Sequence, residues 1–379
     1  MSWSLLKLEE IASVKRGRFL PKGHDYSSVP TSHAYIRARD IGNNRITFSK
    51  PVYIEDRTYR QISNYIVNEG NIAVTIIGAN IGDVGYISAE FDGANLTGNA
   101  AKLVVNERLC DSKFLSFQLA TSRTKERFQL LSGGSAQSTL GLHNIKSLEV
   151  VIPPLVVQKK IASILSTYDN LIENNRRRIQ LLEQAARLLH KEWFVHFRFP
   201  GHEHVKIKDG APEGWERRPI GDVAPFQYGK ALKKDNRVPG PFPVYGSSGI
   251  VGNHESALVK GPAIIVGRKG NFGSVFWSEA DFYPIDTVYF IDSKQCSIYL
   301  YYALLETQFI NTDVAVPGLN RDSAHSRKIL VPERKILLQF EQDIGFLRTQ
   351  IYTLTRYNEK LTQARNLLLP RLMNGEIAV

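Results

Sequence analysis

The feature that most constrains this chain is an internal repeat, because the same succession of segments occurs twice. Two long segments match without gaps at one constant offset, most clearly LEQAARLL at 182–189 and LTQARNLL at 361–368. A second match lies upstream at a slightly larger offset, between GNIAVTIIGANIGDVGY at 70–86 and GPAIIVGRKGNFGSVFW at 261–277. Since the matches keep their order, the sequence predicts the arrangement A–B–A′–B′, two copies of one structural unit.

The first B segment, residues 156–199, has the pattern of one long helix. It contains neither proline nor glycine, and its apolar residues recur every seven positions in two series displaced by four. The second B segment repeats this spacing, which is typical of a coiled-coil seam. We predict a seam formed by Leu165, Ile172, Asn175, Ile179, Leu182, Leu189, Leu347, Ile351, Leu354, Asn358, Leu361 and Leu368.

One asparagine lies in the seam of each copy, Asn175 in the first and Asn358 in the second. A seam asparagine either fixes the register at a cost in stability or lies partly exposed at a frayed layer. Because a single apolar seam is unfavourable in water, each helix needs a partner, and the other copy is the nearest one. A two-fold relation between the copies predicts antiparallel helices about 60 Å long, with the globular segments at opposite ends.

The A segments have the pattern of β-rich domains that also contain some helix. Short apolar runs between turn signals, such as NIAVTII at 71–77 and PAIIV at 262–266, predict strands. Residues 112–132 and 297–311 have helical spacing instead. The sequence therefore predicts an α+β protein with two tandem β-rich mixed α/β domains, each followed by a long helix, related by an internal pseudo-two-fold repeat.

The domain boundaries follow from where the helical spacing begins and ends. We predict domain 1 at 1–155, helix 1 at 156–199, a linker at 200–216, domain 2 at 217–332, and helix 2 with the C-terminal tail at 333–379.

The chain of 379 residues is basic, with 48 lysines and arginines against 37 acidic residues and a net charge of +11. The excess is spread along the chain, which favours an extended polyanion-binding surface over a basic tail, although a merely basic protein has the same composition. The polar loops of the A segments are rich in Arg, Asn, Gln, Ser and His. These residue types contact bases and phosphates in DNA, but several of them also dominate ordinary turns.

We predict DNA contacts for a set of residues in these loops and at nearby strand ends. They are Lys15, Arg16, Arg18, Arg37, Arg39, Asn43, Asn44, Arg45, Asn80, Ser135, Gln137, His143, Lys230, Lys233, Lys234, Ser247, Ser248, Asn253, His254, Arg268, Lys269, Asn271, Asn320 and Arg321.

The cellular compartment is predicted from absences in the sequence. No apolar run reaches the length that spans a bilayer, and the N-terminus lacks the order of a signal peptide, so no membrane association is expected. Two cysteines allow no disulfide framework, and His196, His202 and His204 supply no complete set of metal ligands. We therefore expect a cytoplasmic protein without a metal site.

The catalytic motifs of the relevant enzyme classes are missing from the sequence. The chain has no phosphate-binding P-loop, no dinucleotide-binding glycine fingerprint and no Asn/Asp-Pro-Pro-aromatic tetrapeptide, so neither ATP hydrolysis nor methyl transfer is expected of it. Asp286, Asp292 and Lys294 approximate the D…(D/E)-x-K pattern of Mg²⁺-dependent nucleases. No third acidic ligand is close in sequence, so an exposed strand edge is the favoured interpretation.

Five strings, taken together and in order, carry a family resemblance. They are SGGSAQ at 132–137, IPPLVVQKKIASIL at 152–165, LLEQAARLLHKEWFVHFRFPG at 181–201, EGW at 213–215 and LLLPRLMNGEI at 367–377. With the A–B–A′–B′ plan, the whole chain resembles the specificity (S) subunit of type I restriction–modification systems. The second copy departs from the pattern, since VPERKILLQFEQ at 331–342 lacks the double proline of the first copy.

The resemblance implies two target-recognition domains that each read one half of a bipartite, asymmetric site in double-stranded DNA. It implies that the helices act as a spacer and as the docking surface for two methyltransferase subunits, which restriction/translocase subunits then join. Adenine methylation, ATP-driven translocation and cleavage would belong to those partners, with their S-adenosylmethionine, ATP and Mg²⁺, and this chain would need no cofactor.

The leading hypothesis is thus a non-catalytic DNA-recognition subunit. Two alternatives stay beside it. One is a stand-alone Mg²⁺-dependent nuclease that uses Asp286, Asp292 and Lys294, and the other is a coiled-coil protein-interaction scaffold that does not bind nucleic acid.

Overall fold

A computed structural model describes residues 3–133, 138–310 and 318–379 of the chain. The chain divides into two compact units. Unit 1 consists of residues 1–174 and 357–379, and unit 2 consists of residues 175–356.

Unit 1 is a β-rich unit with several short helices. Its strands are β1 (Ser4–Lys7), β2 (Ala12–Arg16), β3 (Tyr35–Ile36), β4 (Ile41–Gly42), β5 (Asn44–Ile46), β6 (Ile72–Thr75), β7 (Val84–Tyr86), β8 (Asn95–Leu96), β9 (Ala100–Val105) and β10 (Glu149–Ile152). Its short helices are α1 (Leu8–Ile11), α2 (Asp56–Ile62), α3 (Ser112–Leu119), α4 (Ser122–Leu130) and α5 (Leu142–Lys146). The long helix α6 (Leu155–Phe194) begins in this unit.

Unit 2 is built from the same kinds of element. Its strands are β11 (Ile207–Lys208), β12 (Ala211–Pro212), β13 (Glu216–Pro219), β14 (Gln227–Tyr228), β15 (Phe242–Gly246), β16 (Gly249–His254), β17 (Ala263–Gly267), β18 (Val275–Ser278), β19 (Tyr283–Pro284), β20 (Val288–Ile291) and β21 (Lys328–Val331). Its helices are α7 (Ile220–Val223), α8 (Ile298–Glu306), α9 (Arg321–His325) and the first part of α10 (Arg334–Met373).

The main sheets of the two units share one strand order. The sheet of unit 1 has the order β2-β9-β6-β7-β5-β4, and that of unit 2 has the order β14-β20-β17-β18. The four shared strands are antiparallel neighbours in both units. Each unit also has a two-stranded ladder that contains the strand before the long helix, β1-β10 in unit 1 and β13-β21 in unit 2.

The positions of the elements confirm the repeat predicted from the sequence. Strands β6 and β17 begin at Ile72 and Ala263, and helices α6 and α10 begin at Leu155 and Arg334, so both pairs keep the offsets of the sequence matches. The two helices have the same length. Residues of β6 and β17 are buried throughout, since these central strands are covered on both faces. The two tandem β-rich units, each followed by a long helix, are therefore confirmed.

Each unit holds one antiparallel stretch of the two long helices. In unit 1, Ile161 and Leu165 of α6 belong to the same core as Leu372 near the end of α10. Two polar contacts join the helices there: Arg365 Nη1 donates to Asp169 Oδ1 at 2.5 Å, and Asn358 Nδ2 donates to the Ile172 carbonyl at 3.3 Å. The predicted antiparallel pairing is confirmed.

The helix pairing in unit 2 is dominated by aromatic side chains. Phe340 of α10 is fully buried and packs edge-on against Phe194 of α6, with ring centroids 4.8 Å apart. Trp193 lies 5.6 Å from the same ring. In both units the predicted seam residues are buried or half-buried, whereas Leu181 and Leu188, which lie off the seam, are largely exposed (64% and 63%).

One boundary and the content of one segment differ from the sequence prediction. Helix 1 was predicted to run to residue 199, but α6 ends at Phe194, and Phe197 has a left-handed φ of 57°. The chain turns there because Phe199 stacks on Trp215, with ring centroids 5.0 Å apart. The predicted linker at 200–216 contains the hairpin β11-β12.

His190 of α6 is expected to make the stability of the fold depend on pH. It is 3% exposed among aromatic rings, and burial lowers its pKa from 6.5 to about 4. The unfolded chain therefore takes up a proton that the folded chain does not, between pH 6.5 and pH 4. We expect the free energy of unfolding to fall by up to about 3 kcal/mol as the pH is lowered through this window.

The measurement is chemical denaturation followed by tryptophan fluorescence at several pH values. His190→Leu is expected to remove this part of the pH dependence, and His204→Gln serves as the matched control because the His204 side chain is 84% exposed. An equal pH dependence in His190→Leu and the unaltered chain would contradict the assignment.

Candidate nucleic-acid interface

Three polar segments of unit 2 meet around one tyrosine. Tyr228 ends β14, Arg268 follows β17, and Arg321 opens α9. The guanidinium carbons of Arg268 and Arg321 lie 5.0 and 4.9 Å from the centroid of the Tyr228 ring. Tyr228 as a whole remains 47% exposed. We call these three residues the arginine–tyrosine cluster, in which two cations stack on one aromatic ring at the surface.

Backbone hydrogen bonds hold this cluster in place. The amide of Arg268 donates to the Thr287 carbonyl at 2.8 Å, and its Nη1 donates to the Asp286 carbonyl at 3.1 Å. The Arg268 carbonyl in turn accepts from the amide of Leu319, just before α9. The segments that carry Arg268 and Arg321 are therefore tied together through the backbone, and the bond to Asp286 orients the Arg268 guanidinium.

The cluster contains two of the residues predicted to contact DNA, Arg268 and Arg321, and a third lies beside it. Asn320, the N-cap of α9, accepts from the amides of Asp322 and Ser323 and so orients the start of that helix. Other predicted residues of unit 2 lie in the same or adjoining segments and are exposed or half-exposed: Lys230, Lys233, Lys234, Ser247, Ser248, Lys269 and Asn271. Asn253 is exposed on β16, in the separate three-stranded sheet.

His254 has a structural role instead. The residue is only 8% exposed, and its Nδ1 accepts a hydrogen bond from the Val238 amide at 3.2 Å. The Tyr283 ring packs edge-on against the imidazole. We therefore remove His254 from the predicted DNA contacts.

In unit 1 a basic segment follows β2. Arg16 lies 5.7 Å from the Phe19 ring, and Arg18 lies 5.6 Å from the Tyr65 ring. Together with Lys22, these arginines border a surface cavity of about 450 Å³. This segment contains two of the predicted DNA contacts, and Lys15 precedes it on an exposed position of β2.

Arg37 does not belong to an open surface. It is buried, and its Nε and Nη2 both donate to the carboxylate of Asp40 at 2.8 Å, while Nη2 also donates to the Lys50 carbonyl. The hydrogen bonds to the Asp40 carboxylate raise the pKa of Arg37. The side chain holds the loop that enters β4, so we correct its predicted role from DNA contact to structural support.

The neighbouring residues of this loop, unlike Arg37, lie in a turn or on the surface. Asn43 and Asn44 adopt left-handed φ values of 52° and 58° in the β4-β5 turn. Arg45 Nη1 donates to Glu173 Oε2 on α6 at 3.4 Å, which ties the turn to the helix. Arg39 is exposed.

The remaining predicted residues of unit 1 lie on separate loops. Asn80 is exposed between β6 and β7, and His143 is exposed on α5. Ser135 and Gln137 lie outside the described residues.

Gly17 and Gly229 occupy equivalent positions in the two units. A Cβ atom at Gly17 would lie 2.2 Å from the Thr97 carbonyl oxygen, and one at Gly229 would lie 2.0 Å from that of Ile285. The residues after them form equivalent hydrogen bonds, from Arg18 to the Leu96 carbonyl and from Lys230 to the Pro284 carbonyl. Only glycine fits this close approach of two backbones.

A prediction follows from this geometry. Gly17→Ala and Gly229→Ala are each expected to lower the free energy of unfolding by about 1–3 kcal/mol, because the added methyl group must displace a backbone carbonyl. Gly345→Ala is the control, since nothing lies within 4 Å of its Cβ position in α10. That change is expected to be neutral or stabilising by up to about 1 kcal/mol. Denaturant titration of the three variants measures the differences; equal stability of all three would contradict the account.

The residues of the nuclease alternative do not form a metal site. Asp286 lies in the turn before β20 and Asp292 follows that strand, so all four residues of β20 lie between the two carboxylates. Asp292 accepts hydrogen bonds from the Gln227 side chain and from the Lys294 amide. Among residues 3–133, 138–310 and 318–379, no group of three or more His, Cys, Asp or Glu side chains is placed to hold a metal ion. The geometry therefore argues against this alternative.

Sequence reasoning missed the aromatic partners of these arginines. Tyr228, Phe19 and Tyr65 were not predicted to belong to the interface, although Phe19 follows Arg18 directly and Tyr228 lies two residues before Lys230. The sequence signal for these partners was the match of RGR at 16–18 with YGK at 228–230. In both strings a cation follows the glycine, and tyrosine in the second copy takes the place of the first arginine.

The helices do not have the character of membrane spans. Within the part of the chain that the structure describes, none combines the length and apolar character needed to cross a bilayer.

The fold is that of a tandem-repeat protein with two β-rich units. Each unit includes a stretch of the antiparallel helices and has an exposed surface with basic and aromatic side chains. The family model described as the type I restriction modification DNA specificity domain matches residues 2–184 and 212–356. The chain belongs to this family.

Individual relatives cover nearly the whole chain. It is 22% identical to the type I restriction enzyme MjaIX specificity subunit of Methanocaldococcus jannaschii, over 100% of this chain and 94% of that protein. It is 22% identical to the HindI specificity subunit of Haemophilus influenzae, over 95% and 97% of the two chains. The crystal structure of a type I restriction-modification S subunit from M. genitalium has the same fold, with a TM-score of 0.60, 18% identity and coverage of 98% and 96%.

Proposed function

We propose that this chain is the DNA-recognition subunit of a type I restriction–modification complex, and that each unit reads one half of a bipartite, asymmetric site. Membership of the DNA specificity family supports the recognition of DNA and disfavours a nuclease. The proposal of two different half-sites rests on one observation. The two units share one strand order in their main sheets but have different side chains at equivalent positions.

One isolated β-bridge in each unit illustrates this difference. In unit 1 it joins Ile77 to Thr139, and in unit 2 it joins Lys269 to Gly318. Likewise, α5 opens with Leu142 where α9 opens with Arg321. Since base edges are distinguished by the donors and apolar groups that face them, two such surfaces favour different half-site sequences.

The paired helices support the roles of spacer and docking platform. Each has 40 residues. A helix of that size is about 60 Å long, which suits a stiff spacer. Both helices also carry large apolar side chains that point away from the seam, including Leu188 and Leu367. Exposed apolar side chains of this kind fit contact with other subunits. We assign these contacts to two methyltransferase subunits, which restriction/translocase subunits join.

The chemistry of the complex is assigned to these partners. We propose that S-adenosylmethionine, ATP and Mg²⁺ bind to the partner subunits, and that this chain contributes recognition alone. This assignment agrees with the sequence, which has no P-loop and no methyltransferase tetrapeptide.

The experiment is a binding measurement on the chain co-purified with its methyltransferase subunits. Genomic fragments are bound at a series of salt concentrations, and the retained fragments are sequenced. We expect affinity to fall steeply with salt and a two-part motif to be enriched. Absent or salt-independent binding would favour the protein-interaction scaffold.

A further inference from the structure

We propose that the segments after β2 and β14, residues 16–22 and 228–234, are equivalent phosphate-binding elements that grip the DNA backbone once in each unit. The proposal rests on the proposed function and adds the ligand group that these segments contact. Their shared geometry begins with Gly17 and Gly229, which are pressed against backbone carbonyls as described above.

The backbone of the two segments is fixed in the same way. The amides of Gly17 and Gly229 donate to the carbonyls of Ala100 and Val288 at 2.9 and 3.1 Å, and those carbonyls belong to the equivalent strands β9 and β20. The amides of Arg18 and Lys230 donate to the carbonyls of Leu96 and Pro284. Each of these carbonyls lies four residues before the one that binds the neighbouring glycine amide. The side chain after each glycine, Arg18 or Lys230, therefore starts from the same point of the fold.

The charge of the two segments suits an anion. Residues 16–22 and residues 228–234 each contain three cations, and neither range contains an acidic residue. Arg18, Lys22, Lys230, Lys233 and Lys234 are all exposed. Within the described part of the chain none of these five forms an ion pair with a carboxylate. Their charge is therefore available to a ligand.

Aromatic stacking prepares the arginines of unit 1 for this ligand. The guanidinium of Arg18 lies over the Tyr65 ring, and Arg16 lies over Phe19 while its Nε donates to the Gly98 carbonyl at 2.7 Å. Stacking occupies the face of a guanidinium and leaves N–H groups on its edge, which is the part that binds phosphate oxygens. The cavity of about 450 Å³ beside Arg16, Arg18 and Lys22 provides the space for such a group.

The repeat itself indicates a phosphate rather than a base. A cation that starts from the same backbone position in both units is poorly suited to distinguish two different half-sites, whereas phosphates are the same at every sequence. The side chains that differ between the units, such as Arg321 and Leu142, are the better readers of bases. The common element is therefore assigned to positioning on the backbone.

The test uses the chain assembled with its methyltransferase subunits. Arg18→Gln, Lys230→Gln and the double variant are compared with Arg108→Gln and Lys260→Gln, two exposed cations beyond the opposite ends of β9 and β17. Affinity is measured against salt on a duplex that contains the methylated motif and on an unrelated duplex.

Each single variant is expected to reduce the slope of log affinity against log salt by about 0.9, and the double variant by about twice that. Affinity is expected to fall by the same factor on both duplexes, with the methylated motif unchanged. If the salt slopes of Arg18→Gln and Lys230→Gln equal those of the two control variants, the phosphate assignment is overturned and the proposed function still stands. A changed motif in either variant would overturn it in favour of a base contact. No DNA binding by the unaltered complex would overturn the proposed function as well.

Discussion

Inserting three heptads into both long helices is expected to lengthen the gap between the two halves of the recognised site by about nine base pairs. Three heptads of helix add about 31 Å, which is close to one turn of B-DNA, so each unit meets the same face of the duplex as before. Suitable points are the matched positions after Arg177 in α6 and after Arg356 in α10. The measurement is modified-base sequencing of cells that carry the altered gene.

The control for this experiment is the same insertion in one helix only. An unmatched insertion leaves apolar seam residues without partners, so methylation by the complex is expected to be lost. A second control places an insertion of equal length in the exposed β11-β12 turn at Asp209, where no change of motif is expected. A gap of unchanged length after matched insertions would contradict the spacer role.

Replacing Arg268 and Arg321 with alanine is expected to relax one half of the recognised site and to leave the other half unchanged. Both side chains belong to the arginine–tyrosine cluster of unit 2, and each well-placed contact to a base contributes about 1–3 kcal/mol of discrimination. The relaxed half should therefore tolerate bases that the unaltered complex rejects by about tenfold or more per position. Modified-base sequencing of the methylated motif is again the measurement.

Arg218→Ala is the matched control, because Arg218 is an exposed arginine of unit 2 on the separate β13-β21 ladder. We expect this variant to keep the full motif. Equal relaxation of both halves, or an unchanged motif in the double variant, would show that the cluster does not read bases in one half-site.

The helices and the repeat could be predicted from the sequence because their signals are local and periodic. A seven-residue spacing of apolar residues is sufficient to place Leu165, Ile172 and Leu354 inside a helix pair, and all three are buried. The end of the first helix was placed too late, at 199 rather than Phe194. The packing of Phe199 on Trp215 ends the helix, and helical spacing does not record this tertiary contact.

The interface was predicted less well because loop composition does not reveal burial. Arg37 and Arg39 belong to the same loop, yet only Arg37 is buried, since Asp40 and the distant Lys50 carbonyl bind its guanidinium. His254 is buried in the same way by contacts with Val238 and Tyr283. These partners come from the tertiary fold, so the residue type alone could not separate structural from exposed positions.

The arginine–tyrosine cluster shows that the sequence also does not reveal which exposed residues lie together. Arg268 and Arg321 were predicted separately from two loops, but nothing in their spacing indicated that they share a ring. Tyr228 joins them because β14 is a neighbour of β20, which in turn lies beside β17, the strand that leads to Arg268. Strand order is a property of the whole sheet, and it places the three side chains together.

The most direct test of the central claim is modified-base sequencing of genomic DNA from cells with the gene present, deleted and restored. The account predicts that deletion removes one two-part, asymmetric adenine-methylation motif and that restoration returns the same motif. Unchanged methylation after deletion, in cells whose partner methyltransferase is active, would contradict the proposal that this chain determines the sequence that is methylated.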